Sequence, residues 1–253
     1  MTTEYEYIRL SHTNGIATVQ LNRPDARNAL NAQIMTELID VATALHNDAD
    51  LRAVILCGSD QFFSAGADLS MVQDVIDSPT DQDIMALRQM LRLGPDMCDA
   101  WAAIEVPTIA AIEGFCVGGG VTLAVSCDFR IAANNAFMKL PEVPYGMNMS
   151  WHTLPRLVAL MGPSSAKEMT LFGDAIGAET LLQWGAVDRS VAPGQALSEA
   201  QKWAERIAAL PPLATRMTIE AIDAVANAGH ASATFADRDQ FLLTLLSGGI
   251  QPK

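Results

Sequence analysis

Basic residues are scarce in this 253-residue chain: 16 Lys and Arg stand against 29 Asp and Glu, a formal net charge of −13. A field of that sign repels phosphate backbones, which excludes nucleic acid as the general partner. It leaves room for a small anionic ligand gripped by local N–H groups and one or two Arg. Cysteine is sparse too. Cys57, Cys98, Cys116 and Cys127 include no C-x-x-C pair, so they read as free thiols in a reducing compartment. His12, His46, His152 and His230 lack metal-ligand spacing. No apolar run approaches the 18 residues of a membrane span. The opening Met1-Thr-Thr-Glu-Tyr-Glu-Tyr7 has neither the basic nor the apolar part of a secretory leader. These absences lead us to expect a cytoplasmic protein that meets neither membrane nor nucleic acid.

What is present suits a packed domain. Half of the residues are apolar and 18% are charged, a balance that fills a core. Strands are expected at 5–10 and 16–21 around Asn14-Gly15, a strong hairpin turn. Asn31 is a candidate N-cap for a helix marked by Ile34, Leu38, Val41 and Leu45. Short apolar runs at 53–57, 108–112, 128–133 and 137–140 read as strands. Residues 72–83 read as an acidic loop, and a helix is expected from 84 to 104 with a break at Gly94-Pro95. Residues 121–127 read as a short helix, and helices alone follow from Leu154 onward, at 154–161, 164–172, 178–185, 196–210, 213–228 and 234–247. Alternation followed by helices predicts an α/β core over residues 1–195 and a helical region over 196–253.

Three segments could carry chemistry. Ser64-Ala-Gly-Ala-Asp68 and Gly114-Phe-Cys-Val-Gly-Gly-Gly120 are glycine turns after apolar strands, and the second opens onto a helix. Such turns let a backbone approach a ligand and present free N–H groups to an oxygen gaining charge. Each alone is more often an ordinary tight turn. No Gly-Lys-Ser/Thr, G-x-G-x-x-G or G-x-S-x-G occurs, so phosphate-loop, dinucleotide and serine-hydrolase sites are excluded. Glu142, in Leu140-Pro-Glu-Val-Pro-Tyr-Gly146, has apolar neighbours that would favour its neutral form and raise its pKa. A lone Glu is otherwise a solvated residue.

The ordered set Asn-Ala-Leu (28–30), Ser-Ala-Gly-Ala-Asp-Leu (64–69), Gly-Phe-Cys-Val-Gly-Gly-Gly (114–120), Cys-Asp (127–128) and Leu-Pro-Glu (140–142) resembles the crotonase superfamily, the enoyl-CoA hydratase/isomerase family. The resemblance runs from residue 5 to about 245. It implies a spiral of ββα turns with a helical C-terminal region that forms trimers, often as a dimer of trimers. It implies an acyl-CoA thioester as substrate, with no cofactor beyond the coenzyme A that the substrate carries. The backbone N–H groups of Ala67 and Gly119 would form an oxyanion hole. Ala65 to Ser70, including Asp68 and Leu69, would line the CoA arm, and Arg27 could meet CoA phosphates or do nothing. Gly118, Thr122, Tyr145 and Trp151 complete the expected substrate site.

The chain departs from the family at one telling position. Strong hydratases carry two glutamates; Glu142 matches the second, and Thr122 stands where the first would be. Thr122 at its normal pKa cannot act as a base. A single carboxylate suffices to take a proton from C2 and return it at C4, so Δ3,Δ2-enoyl-CoA isomerisation is expected ahead of hydration. A non-catalytic acyl-CoA binder is a further reading, as is another crotonase reaction using Tyr145, His152 or the 72–83 loop. Met147, Met149 and Trp151 read equally as acyl-pocket wall or as core. The C-terminus lacks the Arg-rich tail of many relatives.

Overall fold

In a computed structural model of the chain, residues 4–70 and 80–249 are described. Strands β1 (Ile8–Thr13) and β2 (Ile16–Leu21) form an antiparallel hairpin that pairs Thr13 with Ile16. The turn residues Asn14 and Gly15 both have positive φ, which Asn-Gly tolerates. Because a two-residue turn carries the ladder right up to it, β1 lies at 8–13 and not at the expected 5–10. A 3-10 turn at Pro24–Ala26 leads to helix α1 (Ala32–His46), whose N-cap Asn31 accepts from the Ile34 N–H. The apolar stripe Ile34, Leu38, Val41 and Leu45 is buried as its spacing predicts.

After that the chain repeats one gesture. Strand β3 (Ala53–Cys57) is followed by β4 (Phe62–Ser64) and helices α2 (Asp81–Met90) and α3 (Leu93–Ala102). Strand β5 (Thr108–Ile112) is followed by β6 (Phe115–Val117) and α4 (Gly119–Ala124). Strand β7 (Phe129–Ala133) is followed by β8 (Phe137–Lys139) and α5 (Thr153–Phe172). Then come β9 (Ile176–Gly177), α6 (Ala178–Trp184), β10 (Arg189–Val191), α7 (Ala196–Ala208), α8 (Pro212–Ala226), α9 (His230–Thr234) and α10 (Asp237–Leu246). The first strand of each unit joins a six-stranded sheet ordered β1-β2-β3-β5-β7-β10. The second joins a four-stranded sheet ordered β4-β6-β8-β9. Corresponding strands of successive units pair in parallel. This is an α/β spiral of ββα turns.

The principal core contains Trp101, Phe63, Leu38 and Leu56. On a second face of the large sheet, Ala196, Ala200 and Ala204 of α7 pack against Ile16, Ile55, Ile109 and Ile131. Alanine at every fourth position lets this helix lie close to the strands. By contrast α8 buries nothing, and Leu213, Met217, Ile222 and Val225 stand in solvent. All four cysteines are buried and unpaired. No helix among the described residues is long and apolar enough to cross a membrane.

Further expectations about elements change. Helices do not follow alone after Leu154, because the short strands β9 and β10 close the two sheets there. The break in the 84–104 helix falls at Leu91-Arg92, between α2 and α3. Gly94-Pro95 lies in the first turn of α3, where a missing N–H removes no helical bond. Most of the 72–83 loop lies outside the described residues, but Thr80 caps α2 in a capping box with Asp83, so 81–83 are helical. The two helices expected at 154–161 and 164–172 meet at Gly162, whose φ of 74° and ψ of 167° kink α5 before Pro163.

Candidate functional site

The small sheet brings three segments together: 64–68 after β4, 117–119 after β6 and 139–142 after β8. The first is pinned from below by two buried polar residues. Asn28 donates to the Phe63 carbonyl at 3.0 Å and accepts from the Arg23 N–H at 2.9 Å. Ser64 donates to the Asn28 carbonyl at 2.7 Å and accepts from the Gly66 N–H at 3.1 Å. The Ala65 N–H bonds the Arg27 carbonyl, and the Asp68 N–H bonds the Leu30 carbonyl. Of the four main-chain donors from 65 to 68, only that of Ala67 has no acceptor among the described residues.

The second segment turns at Gly118, whose φ is 51° and whose N–H bonds the Lys139 carbonyl at 2.8 Å. Gly119 is the first residue of α4, where a helical N–H has no intrahelical acceptor. Glycine is required where the two segments touch. A Cβ on Gly66, at φ +90°, would lie 2.6 Å from the Val117 carbonyl oxygen and 3.2 Å from the Gly119 nitrogen. Ala67 and Gly119 therefore occupy one wall.

Glu142 lines the same cavity as Ala67 and Gly119. Its carbonyl accepts from the N–H groups of Met147 and Tyr145, which folds 142–147 into a compact turn. Its Oε1 points at Gly118, where a Cβ would be only 3.0 Å away. Its Oε2 is buried without a hydrogen-bond partner. Burial pushes the carboxyl up to about 7, against the opposing pull of its own main-chain N–H.

These segments enclose a cavity of about 420 Å³. It is lined by Ala65, Ala67, Asp68, Leu69, Gly118, Gly119, Thr122, Glu142, Tyr145 and Trp151, ten of the twelve residues that the sequence nominates. Arg27 and Ser70 are outside the lining. Arg27 is exposed, and it is its carbonyl that serves the site, by holding Ala65. Ser70 donates to Asp68 Oδ1 at 2.7 Å. The basic residue engaged nearby is Arg23, paired with Asp68 Oδ2 at 2.7 Å. Burial would raise the Asp68 pKa, but the Ser70 and Arg23 hydrogen bonds prevail and lower it. Met147 and Met149 are buried and line the cavity as well, so they are core and wall at once.

Thr122 is buried and its hydroxyl lies 2.9 Å from that of Thr153. Thr153 donates its proton to the Ser150 carbonyl, which makes Thr122 the donor where the two hydroxyls bond, with the Gly118 carbonyl at 3.5 Å a second acceptor for the Thr122 proton. The Thr122 oxygen can still accept from something in the cavity. Among the described residues no group of three or more His, Cys, Asp and Glu could hold a metal. The sequence reading missed Lys139 and Phe241, which also line the cavity. Lys139 follows the alternation of β8, with Met138 buried beside it. Phe241 comes from α10 and has no local signal.

The sequence model described as enoyl-CoA hydratase/isomerase matches residues 11–247. A crotonyl-CoA hydratase of Syntrophomonas wolfei is 38% identical over 215 residues, which is 85% of this chain and 80% of that one. A short-chain-enoyl-CoA hydratase of Clostridium acetobutylicum is 33% identical, covering 87% and 82%. The crystal structure of an enoyl-CoA hydratase/isomerase from Xanthobacter autotrophicus Py2 superposes with a TM-score of 0.87 at 30% identity, covering 97% and 90%.

Proposed function

The chain belongs to the enoyl-CoA hydratase/isomerase family, and on that premise we propose that it moves a double bond in an acyl-CoA thioester, with Glu142 as the single acid and base. The thioester oxygen accepts from the N–H groups of Ala67 and Gly119. Withdrawal of charge onto that oxygen acidifies C2. The ionised Glu142 takes a C2 proton from a 3-enoyl thioester, the C3–C4 pair shifts to C2–C3, and the acid returns its proton at C4. Each such donor is worth about 3 kcal/mol of transition-state stabilisation. A carboxyl poised near neutrality suits a group that must both accept and return a proton. Ala65, Asp68, Leu69 and Ser70 would flank the CoA arm, with Arg27 free to meet its phosphates.

The observation that carries this reading is the partner-free carboxylate oxygen of Glu142 in a cavity whose other lining acid, Asp68, is held by Arg23, with Thr122 at the place of a second glutamate. Hydration is a second reading. It is favoured by the names of the two hydratases above and by the free lone pair on Thr122, which could hold a water. Incubation with 3-enoyl-CoA and 2-enoyl-CoA separates them. We expect the 3-enoyl substrate to give 2-enoyl-CoA; faster formation of 3-hydroxyacyl-CoA from the 2-enoyl substrate would overturn isomerisation in favour of hydration.

A further inference from the structure

Two neighbouring side chains stand in a backbone conformation that L-residues avoid. Trp151 has φ 60° and His152 has φ 57°, and for bulky residues such angles persist only where the surroundings enforce them. Three helices do so here. The His152 N–H donates to Asp237 Oδ2 of α10 at 2.9 Å. Its ring Nδ1 lies 2.9 Å from Asp99 Oδ1 of α3. Arg156 of α5 bonds both Asp99 Oδ1 at 3.1 Å and the His152 carbonyl at 3.0 Å. The hydrogen bond to Asp99 raises the His152 pKa, which strengthens the ion pair.

The effect is to aim the Trp151 indole into the cavity wall between Gly94 and Gly119. A Cβ on either glycine would collide with the ring. Both positions thus make room for the indole, and Gly119 is the residue whose N–H is assigned above to the thioester oxygen. The bulk of the indole therefore stands beside the reacting carbonyl. We propose that Trp151 is a specificity-determining residue that narrows the acyl compartment at this point, and that Asp237 is a positioning residue that holds it through His152. The site thereby selects slender acyl groups over broad ones. The assignment rests on the acyl-CoA reading of the cavity.

The test uses the full chain and two thioesters without a reactive double bond, butyryl-CoA and phenylacetyl-CoA, with binding measured by calorimetry. Wild type should prefer butyryl-CoA. Trp151→Ala should shift the ratio of affinities towards phenylacetyl-CoA by about tenfold or more, and Trp151→Phe should shift it less. Phe keeps a ring, so that variant carries the test if the Ala variant fails to fold. Asp237→Ala should move the ratio in the same direction, and Asp237→Asn, which keeps an acceptor for the His152 N–H, should restore it. If wild type binds butyryl-CoA and neither Trp151 variant changes the ratio, the specificity assignment is wrong and the acyl-CoA reading stands. If wild type binds neither thioester, both fall together.

Discussion

Replacing Glu142 by Gln should stabilise the protein while abolishing turnover, and the stabilisation should appear only as the pH rises. Burial lifts the Glu142 pKa from 4.5 to about 7, and each unit corresponds to about 1.4 kcal/mol. Holding the ionised form in the fold therefore costs about 3 kcal/mol. Below about pH 4 the carboxyl is protonated in folded and unfolded chains alike, so this cost is absent. Favourable binding of the proton by the fold is lost as the pH climbs from 4.5 through 7, and above that the cost is complete. Gln is neutral throughout. Urea unfolding at pH 4.5, 6, 7 and 8.5 should therefore show the variant pulling away from wild type across this window and levelling off near 3 kcal/mol. In a thermal scan that gap is roughly 6–12 °C for a chain of this length. A gap that is the same at every pH, or a wild type more stable than the variant at pH 8.5, would mean that the carboxylate is not desolvated. The same titration should govern catalysis: wild-type kcat/KM for a 3-enoyl-CoA should rise with pH around a midpoint near 7.

Gly66→Ala would drive a Cβ towards the Val117 carbonyl at φ +90°, prising Ala67 from Gly119. We expect kcat to fall by about 10²–10³ with KM little changed; a loss confined to KM would contradict the oxyanion assignment. Thr122→Val removes one hydroxyl from the pair with Thr153 and should lower stability by about 1 kcal/mol in urea. Isomerisation should survive within a few-fold, and a collapse of turnover would bring Thr122 into the chemistry. The exposed face of α8 is expected to dock on other copies of this chain as a trimer or a dimer of trimers, because soluble monomers seldom expose so much apolar surface on one helix. Light scattering should give a multiple of three for wild type, and Val225→Glu should lower the mass; a wild type at the 27.1 kDa of one chain would refute it.

The large sheet was legible because its strands have periods long enough to read. Ala53–Cys57 and Thr108–Ile112 are continuous buried runs, and Asn14-Gly15 announces its hairpin through turn chemistry. Of the small sheet only β8 was legible. β4, β6 and β9, like β10 at the edge of the large sheet, hold two or three residues each, shorter than any period, and Phe115–Val117 passed for part of a glycine turn. For the site, the segments that carry Ala67, Gly119 and Glu142 stood out because glycine and proline mark where backbones are constrained, while the choice of Ala67 and Gly119 within them came from the family resemblance. Arg23 was overlooked in favour of Arg27, since nothing in the sequence shows which of two nearby cations reaches Asp68. The αL pair at 151–152 was invisible for a related reason: His and Trp carry no sign of a conformation imposed by Asp99 and Asp237 from distant helices.

Parallel pairing of β4 with β6 and of β6 with β8 makes the small sheet a ruler. Neighbouring strands keep about 4.8 Å between them, so the segments holding Ala67, Gly119 and Glu142 leave the sheet as three successive graduations. Side chains around the ruler, Thr122 among them, can be exchanged without redrawing the scale. Exchanges at such positions can therefore alter which proton moves, and on what molecule, while the spacing between the proposed charge sink and the proposed proton carrier stays that of the strands.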